Sequence, residues 1–259
     1  MVYKRKYKII DNLITACDYE FVLSEIIKAI KNKKKLLISP IASHTLVRAH
    51  YDKNLKKILD KFDYLVPDSQ WVRWSIPFLY GKNKSLKDRV YGPDLMLKTC
   101  GLAEKTNYRI FLYGNTQKVL NKLKEKLKNI YPLINIVGEE ASKFRKLNEN
   151  ELKKLTSKID NSKSDIIFVS LGSPKQELFC YQLSKNINSP LVIIPIGAAF
   201  NFISDQKPQA PKLMQDLGME WLFRLLNEPK RLSARYLFYG LFFTVLIFKQ
   251  KITKLNYKE

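Results

Sequence analysis

The sequence predicts an α/β fold: a mainly parallel, doubly wound sheet covered by helices on both faces, with a C-terminal helical extension. Three observations predict it. Short, near-continuous apolar runs alternate with longer amphipathic stretches, the pattern of strands buried on both faces between helices. Six such runs occur, more than two separate small domains would need. Glycine stands at the carboxyl end of four of them, at Gly114, Gly138, Gly172 and Gly197, where an open α/β sheet carries its ligand-binding loops.

The elements follow in order. Residues 18–32 place Phe21, Val22, Ile26, Ile27 and Ile30 at helical spacing with lysines between them. LLISPI at 36–41 reads as a buried strand and SHTLVRAHYDKNLKKIL as one helix after it. DYLVPD at 63–68 is the second strand, followed by an aromatic helix through Trp71, Trp74 and Phe78. YRIFLYGN at 108–115 is the third strand, with QKVLNKLKEKLKNIY as its helix. INIVGEE at 134–140 is the fourth, with ELKKLTSKI beyond it. DIIFVSLG at 165–172 and PLVIIPIGAAF at 190–200 are the fifth and sixth. Neither an internal repeat nor a low-complexity linker interrupts them.

Charge narrows the function classes. The 259 residues carry a formal net charge of +22, with 46% hydrophobic and 12% aromatic residues. That excess on a folded chain favours a polyanionic partner: nucleic acid, anionic membrane or a phosphate-rich substrate. A lysine-rich, solvated surface with no specific partner is the alternative. Cys17, Cys100 and Cys180 form no CxxC pair and only His44 and His50 accompany them, so neither a disulfide framework nor a metal site is indicated. The N-terminus lacks the apolar core of a signal peptide, which reads as a reduced, cytoplasmic compartment. Neither GxGxxG nor GxxxxGK[ST] is present. The apolar run 237–248 is shorter than the roughly 20 residues a membrane-crossing helix needs.

Several short stretches can carry chemistry. Asp68 follows a strand and precedes a helix, so it either caps that helix or serves as a general base. Arg89, ahead of a glycine turn, either clamps a phosphate or bridges to a carboxylate. Asp94 suits a helix cap. In GSPKQE, Ser173 is a natural N-cap, Pro174 suits the first helical turn and Glu177 stands where a capping box wants it. Lys175 and Gln176 are left unexplained by that, at a helix start that can also take an anion or a sugar hydroxyl. Arg224, Arg231 and Arg235 can share one side of a helical hairpin. The aromatic run beyond them, bounded by Arg235 and Lys249, suits interfacial membrane binding or a C-terminal core helix. Its aromatics are not interleaved with cations, which weakens a nucleic-acid reading.

Taken together, VPDSQWVRW, DRVYGPDLM, FLYGNTQKVL, SLGSPKQE, IGAAFNF and QAPKLMQDLGMEWLFRLLNEPKRLSARY resemble the WecG/TagA/CpsF family, glycosyltransferase family 26. The similarity runs in order from about residue 8 to about residue 245. The resemblance implies a Rossmann-like core at 1–217 and a C-terminal membrane-binding appendage at 218–259. It implies a bacterial, inverting glycosyltransferase that uses neither metal nor cofactor. The donor it implies is a UDP-sugar of N-acetylmannosamine type, its uronic acid or a related hexose. The acceptor is an undecaprenyl-pyrophosphate-linked sugar, and the products are teichoic acid, capsule or exopolysaccharide. Such an enzyme is peripheral on the inner face of the cell membrane, binds no nucleic acid and leaves room for a homo-oligomer. By the same resemblance Asp68 is the catalytic base. Arg89 and Gln176 match positions that hold the donor, and Arg224, Arg231 and Arg235 match those that engage the lipid pyrophosphate; Ser39, Gly114, Gly172, Lys175 and Gly197, at strand ends and a helix start, are expected to join the donor site. This chain has Ser39-Pro40-Ile41 where the family has Thr-x-Asn, Ser69 where it has Gly, and Gln209 where it has Arg. A non-catalytic basic module on anionic membrane or RNA is the alternative class.

Overall fold

The apolar runs form a single parallel sheet of six strands. In the computed structural model, which describes residues 5–256 apart from the side chains of residues 231, 234, 235, 255 and 256, the strands are β3 (Leu36–Ile41), β4 (Tyr64–Pro67), β5 (Arg109–Gly114), β6 (Asn135–Glu140), β7 (Ile166–Ser170) and β8 (Val192–Pro195). Their order is β4-β3-β8-β7-β5-β6. Every neighbouring pair is parallel. The chain moves outward from β3 to β4, crosses to β5 and outward to β6, and then fills the gap with β7 and β8. Such a reversal opens a crevice at the strands' carboxyl ends.

Alternation along the strands splits the core in two. Phe111 and Tyr113 of β5 and Ile167 and Val169 of β7 pack on one face. Ile110, Leu112, Ile166 and Phe168 pack on the other. All are buried, as a sheet covered on both sides requires.

The covering helices are α1 (Tyr19–Lys31), α2 (Ser43–Tyr51), α3 (Lys53–Leu59), α4 (Gln70–Tyr80), α5 (Gly92–Thr106), α6 (Gln117–Ile130), α7 (Glu149–Ser162) and α8 (Lys175–Asn186). Two short turns, α9 (Ala199–Ile203) and α10 (Lys212–Asp216), lead to α11 (Glu220–Asn227) and the 28-residue α12 (Pro229–Asn256). No described helix is long and apolar enough to cross a membrane. One side of α12 is core: Phe243 and Ile247 are buried in the same cluster as Leu46 and Val47 of α2.

Two details differ from the reading of the sequence. The single helix expected over 43–59 is broken at Asp52, whose extended backbone starts a new helix. Its carboxylate accepts the N–H groups of Asn54 and Leu55, so a capping residue wins over apolar periodicity. The N-terminus also forms an antiparallel hairpin of β1 (Arg5–Ile9) and β2 (Asn12–Ala16). Gln250 of α12 clasps it, donating to the Lys8 carbonyl and accepting the Ile10 N–H.

Gly114 is required by the backbone where β5 meets β7. Its φ is 119°, and a Cβ there would meet the Ser170 carbonyl oxygen at 2.3 Å. Gly114→Ala is therefore expected to destabilise the fold by about 2 kcal/mol or more, read as a lower denaturant midpoint at unchanged slope.

Candidate active site

The crevice is a cleft of about 1260 Å³. Its floor comes from the carboxyl ends of β3, β4, β5, β7 and β8, and α11 and α12 wall one side. Of the residues singled out from sequence, Asp68, Arg89, Gly172, Lys175, Gln176, Gly197 and Arg224 line it. Ser39 and Gly114 stand behind the wall. Ser39 is fully buried inside β3, and at the end of β5 it is Tyr113 and Asn115 that reach the space. Arg231 and Arg235 lie in the first turns of α12, and their side chains fall outside the described residues.

Asp68 leaves the end of β4 with its backbone N–H donated to the Ile41 carbonyl. It does not cap the helix that follows it. Ser69 does, accepting the Val72 N–H at 3.4 Å. The Asp68 carboxylate reaches across instead, and its Oδ1 accepts the N–H of Gly92, the first residue of α5, at 2.9 Å. Glycine at 92 also lets α5 start close to the loop after β8, where a Cβ would press on the Ile196 carbonyl at 3.2 Å. Burial pushes the Asp68 carboxyl up from its ordinary value, and the positive charge of Arg89 only partly offsets that.

Arg89 bridges to a carboxylate from the far end of the chain. It is 6% exposed. Its Nη2 donates to Glu220 Oε2 at 2.9 Å and to Gln215 Oε1 at 3.0 Å, and its guanidinium stacks 4.1 Å from the centre of the Tyr91 ring. Burial alone would lower its pKa, but the charges of Glu220 and Asp68 override that and hold the group above its ordinary value. The Tyr91 hydroxyl donates to Glu220 Oε1 at 3.2 Å, and Arg224 stands 3.7 Å from the same oxygen. Glu220 thus joins three groups around the cleft. The sequence reading missed Glu220, Gln215 and Tyr91. Only the four-residue spacing of Glu220 and Arg224 on α11 hinted at them. Arg224 also lies over the Phe202 ring at 5.5 Å, and among the described residues its Nε donates no hydrogen bond.

The GSPKQE turn departs from a capping box. α8 begins at Lys175 with Pro174 at its cap, and no side chain caps it. Proline has no N–H for Glu177 to reach back to, so the box cannot close. Glu177 turns inward, fully buried, and accepts from Gln176 Nε2 at 3.1 Å and Ser39 Oγ at 3.5 Å. Ser173 Oγ pairs with Thr45 Oγ1 at 2.6 Å. Gln176 Oε1 accepts the Gly197 N–H at 3.0 Å, which ties the start of α8 to the loop after β8. Asp94 is likewise no cap. Tyr91 holds that position on α5, and Asp94, within the first turn, accepts from the Tyr19 hydroxyl at 3.4 Å.

This arrangement offers a desolvated carboxylate, an arginine held beside Glu220, a lysine at a helix start and backbone N–H groups around one large space. It suits transfer of a group away from an anionic leaving group. The model of the Glycosyl transferase WecG/TagA/CpsF family matches residues 7–257.

Proposed function

The chain belongs to the WecG/TagA/CpsF family and is a glycosyltransferase of cell-surface polysaccharide synthesis; we propose that it transfers a sugar from a UDP-linked donor to an undecaprenyl-pyrophosphate-linked sugar by a single inverting displacement. The observation that carries this reading is Asp68. Its carboxylate is held through Oδ1 by the Gly92 N–H and lines the same cleft as Arg224 and Lys175. The cleft's volume exceeds the roughly 300–1,000 Å³ of usual small-molecule sites, which leaves room for two substrates together.

Asp68 takes the proton of the acceptor hydroxyl as its oxygen attacks the anomeric carbon. The bond from that carbon to the diphosphate oxygen breaks on the opposite face, and UDP leaves with the electron pair. Arg89 is committed to Glu220 and Gln215, so charge on the leaving group falls to Lys175 and the N-terminus of α8. Arg224, with Arg231 and Arg235, holds the acceptor's pyrophosphate. The transferred sugar is of N-acetylmannosamine type, its uronic acid or a related hexose.

Membrane apposition fits the surface beside the cleft. Trp71, Trp74 and Phe78 of α4 and Phe238, Phe242 and Phe248 of α12 are all at least two-fifths exposed, with Lys251 over the Phe78 ring and Lys254 over that of Tyr80.

Incubation with UDP-sugars and a short-chain prenyl-pyrophosphate-linked sugar tests the reading. It predicts UDP release matched by a disaccharide lipid. Salt-sensitive binding to any polyanion without transfer would overturn it. The raised Asp68 carboxyl adds a pH signature. The base works only when ionised, so kcat/KM is lost as pH falls through a midpoint above the ordinary aspartate value of 3.8. An acid limb at or below that value would contradict the assignment.

A further inference from the structure

We propose that Glu220 of α11 is a positioning residue for the transfer: it holds the Arg89 guanidinium to itself, so that the Asp68 carboxylate stays unpaired and able to take a proton. The inference rests on Asp68 being the base. The segment that carries Arg89 runs beside the end of β4. The Val90 N–H donates to the Pro67 carbonyl at 2.8 Å, and the Gly92 N–H to Asp68 Oδ1 at 2.9 Å. An arginine on such a segment is the ready partner of a desolvated aspartate, and its fork of N–H groups favours a two-pronged pair. The structure holds no such pair. Among the described residues Asp68 joins no ion pair, and Arg89 Nη2 is turned instead to Glu220 Oε2 and Gln215 Oε1. The Tyr91 ring, 4.1 Å from the guanidinium, backs it in that position.

Stability alone does not account for this arrangement. The side chains of Arg89 and Glu220 are 7% and 13% exposed, and a pair so far buried gains little beyond its own desolvation cost. Its effect on Asp68 has a definite sign. Burial raises the Asp68 carboxyl, the charge of Arg89 lowers it and that of Glu220 raises it again. Arg89 and Tyr91 face Asp68 from the segment ahead of α5, and Glu220 and Arg224 face it from α11. His44, Lys175 and Lys207 stand elsewhere in the cleft, and Asp94 of α5 is turned to the Tyr19 hydroxyl. Besides Asp68, Glu220 is the one carboxylate among the described residues that line the cleft, so it alone can offset Arg89 there.

The test is a nuclear magnetic resonance titration of the full chain labelled with ¹³C at the aspartate carboxyl carbons, the Asp68 signal being identified by its loss in Asp68→Asn. Glu220→Gln keeps the shape and an acceptor for Arg89 but not the charge. Its Asp68 midpoint is expected to fall by about one pH unit or more, the effect of a neighbouring cation left uncompensated. The acid limb of kcat/KM should move down with it. The plateau kcat should drop by no more than about tenfold, the limit for a base one unit weaker. Glu220→Asp, which keeps the charge, should leave the midpoint near that of the unaltered protein. The double variant of Arg89→Gln with Glu220→Gln removes both charges and should bring the midpoint back to that of the unaltered protein or above it. A brace with no electrostatic role would leave the midpoint unmoved in Glu220→Gln, and that result would overturn the inference. So would a midpoint in the double variant below that of the unaltered protein. If the midpoints move as expected and no sugar is transferred, Asp68 falls as the base and Glu220 with it, a failure distinct from an unmoved midpoint.

Discussion

Asp68→Asn is expected to lower kcat by roughly a hundredfold or more, the usual contribution of a general base, with little change in donor KM. The variant suits the question because asparagine keeps an Oδ1 acceptor for the Gly92 N–H, the one hydrogen bond to this carboxylate among the described residues. The turn between β4 and α4 is capped by Ser69 and does not depend on Asp68. Thermal unfolding should therefore stay within a few degrees of the unaltered protein. Full turnover by folded Asp68→Asn would remove Asp68 from the chemistry. The acid limb of the pH profile should disappear with the carboxylate, a readout that a merely structural role would leave in place.

Glu220→Ala is expected to be the most damaging single change outside the sheet. It leaves Arg89 buried without its carboxylate, and removing one partner of a buried pair costs about 3 kcal/mol. In a chain of this size that lowers Tm by roughly 6–12 °C. Gln215 and the Tyr91 ring still contact Arg89, which keeps the cost toward the lower end of the range. The same change frees the Tyr91 hydroxyl and Arg224, so donor and acceptor KM should both rise. Glu220→Gln keeps acceptor and shape and should recover most of the stability. A Tm unchanged in Glu220→Ala would show that the Arg89 bridge contributes nothing to holding α11 on the core.

The strands were legible because both faces of this sheet are buried, so each run is apolar throughout, from LLISPI to DIIFVSLG. β6, an edge strand of intermediate burial, was legible through its glycine and its isoleucines. The hairpin of β1 and β2 was not, since Tyr7 and Ile9 alternate with lysines too briefly to stand out. The break at Asp52 was hidden because a cap competes with apolar periodicity and the sequence does not show which prevails. At the site, Asp68, Gln176 and Arg224 stood out as polar residues at strand ends or on an unusual helix. The partner of Arg89 did not, because it lies 131 residues away and only the folded chain brings Glu220 to it. Ser173 and Glu177 were read as a cap from local pattern. Burial and contacts with Thr45 and Ser39, made across the sheet's end, override that pattern.

The most direct test of a single displacement with Asp68 as base is the anomeric configuration of the product. Transfer from a UDP-sugar labelled with ¹³C at the anomeric carbon can be followed by the one-bond carbon–proton coupling in the disaccharide lipid. Single displacement predicts the anomer opposite to that of the donor. Retention of the donor's configuration would contradict it and would require a nucleophile in place of a base.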